Sequence, residues 1–239
     1  MTDDYHVVTS NSTDDTVVLD GFIIVAGNAD GPESDDPADD KYRQMRGGGI
    51  YNSKSIPTLT NCTLSGNCAG IDAGGICGRE SMVMLTNCIL RSNSLPQISG
   101  DATASYSNIQ GGWPGEGNMD MDPLFVRPGR HQAHSTLASA YDDSWVEGDY
   151  HLKSRAGRWD PIREDWVIDA VTSSCIDAGK PTIPIGLEPF PNGGIINMGA
   201  YGGTAEASMS LLTVGSITDP ASEAHRSPEE KTPQNSRRK

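Results

Sequence analysis

The chain has 239 residues, a formal net charge of −14, and 27 glycines against 3 phenylalanines. That charge argues against nucleic acids and anionic membrane surfaces as partners, and against a polyanionic substrate unless a cation lies between. The five cysteines contain no CxxC pair, so neither a zinc site nor a regular disulfide framework is indicated, and no run of 18 apolar residues offers a membrane-spanning helix.

The start, Met1-Thr-Asp-Asp-Tyr, has no basic n-region and no apolar h-region. Residues 5–9 and 16–25 read as strands separated by a polar turn. They enter a pattern already in progress, so the sequence is expected to be a piece of a longer protein.

Residues 29–46 break that pattern. Asp30, Glu33, Asp35, Asp36, Asp39 and Asp40 fall among Gly and Pro with no strand alternation, so the segment is expected to leave the body of the fold as a loop. Asp35, Asp36, Asp39 and Asp40 are candidate hard oxygen ligands for Ca²⁺. Lys41 and Arg43 stand beside them as candidate bases. A calcium ion with a basic group is the equipment for β-elimination on a uronate, because the metal neutralises the carboxylate while the base removes the adjacent proton. The bland alternative is a solvated acidic loop.

From Gly47 to Asn93 one passage is written twice, 26 residues apart. Gly48-Gly-Ile50 returns as Gly74-Gly-Ile76, Leu59-Thr-Asn-Cys62 as Leu85-Thr-Asn-Cys88, Leu64 as Leu90 and Asn67 as Asn93. Such a period marks stacked units that cover one another's apolar faces. No helical periodicity runs through the unit, so it is expected to consist of short strands, with a bend at Thr60-Asn61 between an inward Leu59 and an inward Cys62 and Leu64. About 26 residues suits one turn of a parallel β-helix. Equivalent residues would then form ladders: Asn67 on Asn93, with Asn28 before them, and Cys62 on Cys88 as stacked inward thiols. Leu19 and Phe22 take the places of Leu59 and Cys62. Arg79 and Arg91 in the loops have the chemistry to contact sugars.

Residues 96–110 read as a shorter turn with its strand at 104–110, and from Gly111 the period is lost. This part, residues 113–212, is expected to cover the last turn, and residues 213–239 to form a disordered tail. Trp113 is a candidate for stacking on a sugar ring, although a buried role for the tryptophans at the cap is favoured. His131 and His134 are spaced for a shared metal but lack a helical frame and an intervening Glu. Asp160, Glu164, Asp165, Asp169 and Asp177 are candidates for the carboxylate pair of a glycoside hydrolase.

The combination of Gly-Gly-Gly-Ile-Tyr51 and Thr-Asn-Cys-Thr-Leu-Ser-Gly-Asn67 with Asp122-Pro-Leu-Phe, Asp149-Tyr-His-Leu, Cys175-Ile-Asp-Ala-Gly and Asn197-Met-Gly-Ala-Tyr resembles the C-terminal part of secreted bacterial right-handed parallel β-helix proteins. Its repeats are similar to those of polymorphic outer-membrane proteins, and the fold also hosts pectate-lyase-like enzymes. The resemblance implies an all-β, right-handed parallel β-helix over residues 1–112 with an irregular C-terminal cap, an extracellular or cell-surface setting, and further upstream coils as neighbours. The expected function is a structural or polysaccharide-binding module, with no convincing catalytic set. The alternative is a carbohydrate-active enzyme, a Ca²⁺-dependent lyase before a glycoside hydrolase.

Overall fold

The structure is a computed structural model that describes residues 5–32, 34, 36, 39–94, 96–132 and 144–211. It is all-β apart from one short helix. The first repeat supplies β1 (Val8–Asn11), β2 (Val18–Asp20), β3 (Ile23–Val25) and β4 (Asn28–Ala29). The second supplies β5 (Ile50–Ser53), β6 (Thr58–Thr60), β7 (Thr63–Ser65) and β8 (Cys68–Ala69). The third is β9 (Ile76–Thr86) and β10 (Ile89–Arg91), and the last β11 (Ile98–Ser105) and β12 (Asn108–Ile109).

Pairing between repeats is parallel throughout. Val8 lies beside Ile50, Ile50 beside Ile76 and Ile76 beside Ile98. Leu19, Leu59, Leu85 and Ala104 form a second column, and Ile24, Leu64, Leu90 and Ile109 a third. The stacked columns make the first core, in which Leu59, Leu64, Ile76 and Leu90 are fully buried. Asn61 and Asn87 adopt positive φ at the bend, a conformation Asn tolerates through its short side chain. The repeated Gly-Gly pairs have a steric cause: a Cβ on Gly74 would stand 2.3 Å from the Asn67 carbonyl oxygen, and one on Gly48 2.0 Å from that of Cys68. Only glycine lets successive repeats approach so closely.

Cys62 and Cys88 are stacked, buried and unpaired by any disulfide, as expected. Burial pushes the Cys88 thiol up, while its bond with the neighbouring Cys88 sulfur lowers Cys62. The asparagine ladder holds for Asn67 and Asn93 but not for Asn28. Asn28 pairs with Cys68, is exposed, and turns its amide to Asp30; Gly27 occupies the ladder position and donates its N–H to Asn67 Oδ1. Phe22 keeps its place beside Cys62 in register, since Thr63 N–H donates to its carbonyl, yet its ring is 56% exposed. It sits at the open end of the stack, where no strand lies beyond β3 among the described residues.

The last repeat is shortened as expected, but its main strand is Ile98–Ser105 instead of 104–110. Ile98, Ala102 and Ala104 match Ile76, Val83 and Leu85 in register and so define the strand. Residues 111–121 then cover this end. Trp113 packs on the first core, Asn118 donates to the Ala104 carbonyl, and Asn108 bridges to Met119.

The rest of the C-terminal region packs along the side of the stack. Its antiparallel pairs are β13 (Phe125–Arg127) with β16 (Asp149–Leu152), β14 (Arg130–Gln132) with β15 (Ser144–Val146), and β17 (Arg158–Asp160) with β18 (Asp165–Val167). Phe125, Tyr150, Leu152, Cys175 and Met198 form a second core against Ile89, with Ile23 and Val25 at its edge. The outer face of β3 and β10 presents Ile23, Val25 and Ile89, which need a cover, while β7 presents Thr63 and Ser65. Ala200 N–H donates to Thr63 Oγ1, and Lys180 N–H to Asn87 Oδ1, fixing that cover.

Candidate functional site

The loop inserted between β4 and β5 is closed at its neck by Gly31 N–H donating to the Gln44 carbonyl. It carries a one-turn helix, α1 (Asp40–Arg43), capped by Asp39, whose carboxylate accepts from Lys41 N–H at 3.0 Å. That bond holds the Asp39 carboxyl below the usual carboxylate range. Beyond α1 the buried Arg46 lays its guanidinium 3.7 Å from the centroid of the Tyr42 ring and donates to the Tyr42 carbonyl. The cation–π contact and the hydrogen bond together tie the loop to the start of the second repeat.

Between this loop and the outward face of β1, β5 and β9 lies a groove of about 450 Å³, with His6, Asp39, Tyr42, Arg43, Tyr51 and Arg79 in its walls. The guanidinium of Arg79 stands 5.8 Å from the centroid of Tyr42, so two cations approach this ring. Three of the candidate residues, Asp39, Arg43 and Arg79, meet here although 40 positions separate the first and last in sequence.

His6 was not anticipated. Its ring stacks on Tyr51 at 5.3 Å between centroids, and Nδ1 lies 3.0 Å from the Gly47 carbonyl oxygen. A carbonyl only accepts, so Nδ1 carries the proton and Nε2 keeps its lone pair. Nε2 is buried without a partner among the described residues. Burial lowers the pKa of His6, the bond to Gly47 opposes this, and the charge of Arg43 lowers it further. At neutral pH the groove thus combines two guanidiniums, the Asp39 carboxylate, a neutral imidazole and two phenols. Tyr51 is itself raised by burial. Nothing in the sequence pattern signalled His6, because it precedes the clear repeats and lies 45 residues from its stacking partner.

The other candidates lie elsewhere. Lys41 is exposed on α1 and is not part of the groove wall. Arg91 is half-buried and paired with Asp120 at 2.6 Å on a different face, and Trp113 plugs the end of the stack. Of the proposed calcium ligands, Asp35 and the side chain of Asp40 lie outside what is described; Asp36 is exposed and Asp39 is engaged as a helix cap. Among the described residues no three His, Cys, Asp or Glu side chains converge as a metal set. His134 and residues 212–239 lie outside the described residues, while His131 packs edge-on against Trp145 with Nε2 3.1 Å from the Gly66 carbonyl oxygen.

The candidate carboxylates of the C-terminal region are held by local bonds. Asp169 binds Arg158 and the Ser154 N–H, Asp177 accepts from Gly193, and Asp160 from Ile162. Trp159 and Trp166 meet edge-on across their hairpin. No helix among the described residues is long and apolar enough to cross a membrane.

Comparison with known proteins adds one finding. A family model described as disaggregatase related matches residues 18–179, more than half of the chain, from β2 through β18. No curated protein and no solved structure matches.

Proposed function

The chain belongs to the disaggregatase-related family, and on that premise we propose that it is an extracellular, acidic-polysaccharide-binding module built as a right-handed parallel β-helix. The parallel columns of the four repeats support the architecture. The single observation that supports the binding role is the meeting of Arg43, Arg79, Tyr42 and His6 in one groove of an otherwise strongly acidic chain. Guanidiniums recognise carboxylates in a two-pronged geometry, and aromatic walls suit the apolar faces of sugar rings. A disaggregatase is by its name an activity that disperses aggregates. A module that grips a surface glycan would serve such an activity. The unpaired edges of β1, β2 and β3, with Val18 and Phe22 exposed beside them, are where further upstream coils would join.

Retardation in native gels containing polygalacturonate tests this reading, with a neutral glucan as control. Migration should slow in the acidic polymer alone, and the Arg43→Ala/Arg79→Ala variant should lose most of the effect. Equal migration of the wild type in both gels overturns the proposal.

A second reading, a Ca²⁺-dependent lyase, is favoured by the presence of Asp39 and Arg43 in the same groove. It requires calcium heat in calorimetry that disappears in Asp36→Ala/Asp39→Ala, and an ultraviolet-absorbing unsaturated product. A chain that binds polymer without either signal is the module alone.

A further inference from the structure

A second groove is built where the C-terminal region meets the flank of the stack. Two adjoining depressions of about 470 and 490 Å³ share Ser92 and Pro128 in their walls and so lie side by side. The first is lined by Arg91 at the end of β10 and Lys153 just after β16, the second by Arg127 and Arg130 around the β13–β14 turn. The one carboxylate in either wall is Asp122; its near neighbour Asp120 is already taken by Arg91.

With Arg91 neutralised by Asp120, three further cations face one lining carboxylate, the reverse of the chain's overall balance of 18 basic and 32 acidic residues. Arg127, Arg130 and Lys153 have no acidic side chain within 4.0 Å among the described residues, so their charge is not spent internally. Arg91 is held in place by Asp120 at 2.6 Å and Asn108 at 3.4 Å. The cations come from three separate segments, so the turn after β10 and the strands β13, β14 and β16 must all be docked before they face one channel. Fields from the surrounding acidic surface would steer a long anionic polymer away except along such a strip.

We propose that this channel is a second binding site, taking an extended stretch of an acidic polysaccharide through its carboxylate or sulfate groups. Arg127, Arg130 and Lys153 contact the anionic groups, and the exposed Pro128 offers a flat apolar wall to a sugar ring. Its walls hold His131 and Phe125, whose ring is buried in the second core, and no Trp or Tyr on which a nucleic-acid base could stack. The assignment rests on the reading of the chain as a binder of acidic polysaccharide, but it concerns residues that the first groove does not contain.

The test is affinity capillary electrophoresis of the full chain with polygalacturonate, dextran sulfate, neutral dextran and a single-stranded oligodeoxynucleotide. Wild type, Arg127→Ala/Arg130→Ala and Arg43→Ala/Arg79→Ala are compared. Arg127 and Arg130 are exposed, so their variant retains the fold. The channel variant should bind one acidic polymer roughly tenfold more weakly, with a shallower dependence on salt. Whether polygalacturonate or dextran sulfate shows the larger loss identifies the anion. Unchanged affinity in the channel variant together with loss in the other variant overturns this inference and leaves the first groove standing. Loss in the channel variant alone supports it while removing the first groove. Oligodeoxynucleotide binding as tight as that of either polymer, and lost with it in the channel variant, overturns the polysaccharide assignment.

Discussion

Asn67 rests on Asn93 through a pair of hydrogen bonds to one oxygen: its backbone N–H and its Nδ2 both donate to Asn93 Oδ1, at 3.0 and 2.9 Å. The ladder continues in both directions, with Gly27 N–H donating to Asn67 Oδ1 and Asn93 Nδ2 to Gln97 Oε1. Both asparagines are buried, so each bond satisfies a polar group that water cannot reach.

Asn67→Ala would leave the Gly27 N–H and the Ile24 carbonyl without their partner. Orphaned buried groups cost on the order of 3 kcal/mol together. Urea unfolding followed by circular dichroism should show a lowered midpoint of about that size. A midpoint within error of wild type would mean the corner is held by the backbone alone.

Leu64 and Phe22 make a matched contrast, since both stand in repeat positions but Leu64 is fully buried and Phe22 is 56% exposed. Leu64→Ala should destabilise by about 2–5 kcal/mol through lost burial and the cavity left behind. Phe22→Ser should change stability by less than about 0.5 kcal/mol. An equal loss in both would show that Phe22 is covered in solution, as docking of another coil on the open end would require.

Glu188 gives the fold a pH dependence. It is 7% exposed, Oε1 accepts from the N–H groups of Asn197 and Gly203, and Oε2 is buried without a partner among the described residues. Burial pushes its pKa up from 4.5 to about 7 against the pull of those two bonds. A folded pKa above the unfolded one means the folded state holds the proton more tightly. The stabilising contribution is therefore complete below pH 4.5 and lost as pH rises through 7. Thermal melts should show Glu188→Gln gaining on wild type as pH rises from 4.5 to 7, by roughly 1–3 kcal/mol. A constant difference across that range would place the ionisation elsewhere.

Tyr42 joins the loop to the body through Arg46 and faces the groove together with Arg79. Tyr42→Ala should weaken polygalacturonate binding by roughly threefold to tenfold, in the range of one lost aromatic contact. Tyr42→Phe should keep most of the affinity if the ring matters and lose it if the hydroxyl does. Fluorescence titration reads both.

How much of this was legible varies with the kind of residue. The register of Ile50 with Ile76, Leu59 with Leu85 and Asn67 with Asn93 follows from the written repeat, since side chains one strand apart must match to be buried together. Asn28 was misread as a ladder member although the constant offset of 40 residues that relates Leu19 to Leu59 already matches Asn67 with Gly27, as the pairing of Asn28 with Cys68 shows. His6 gave no signal at all, and the placement of the C-terminal region on the flank was equally hidden: the outward Ile23, Val25 and Ile89 alternate with inward apolar residues in very short strands and carry no separate signature.

The sequence by itself determined the stacked, parallel, all-β repeats, because a period of matched Gly, Asn and apolar residues specifies both the corners and the buried columns. The tertiary structure alone decided which cations meet. Arg43 joins Arg79 while Arg91 joins Arg127, Arg130 and Lys153, because the inserted loop and the C-terminal strands carry no repeat, and their positions follow from packing against the stack.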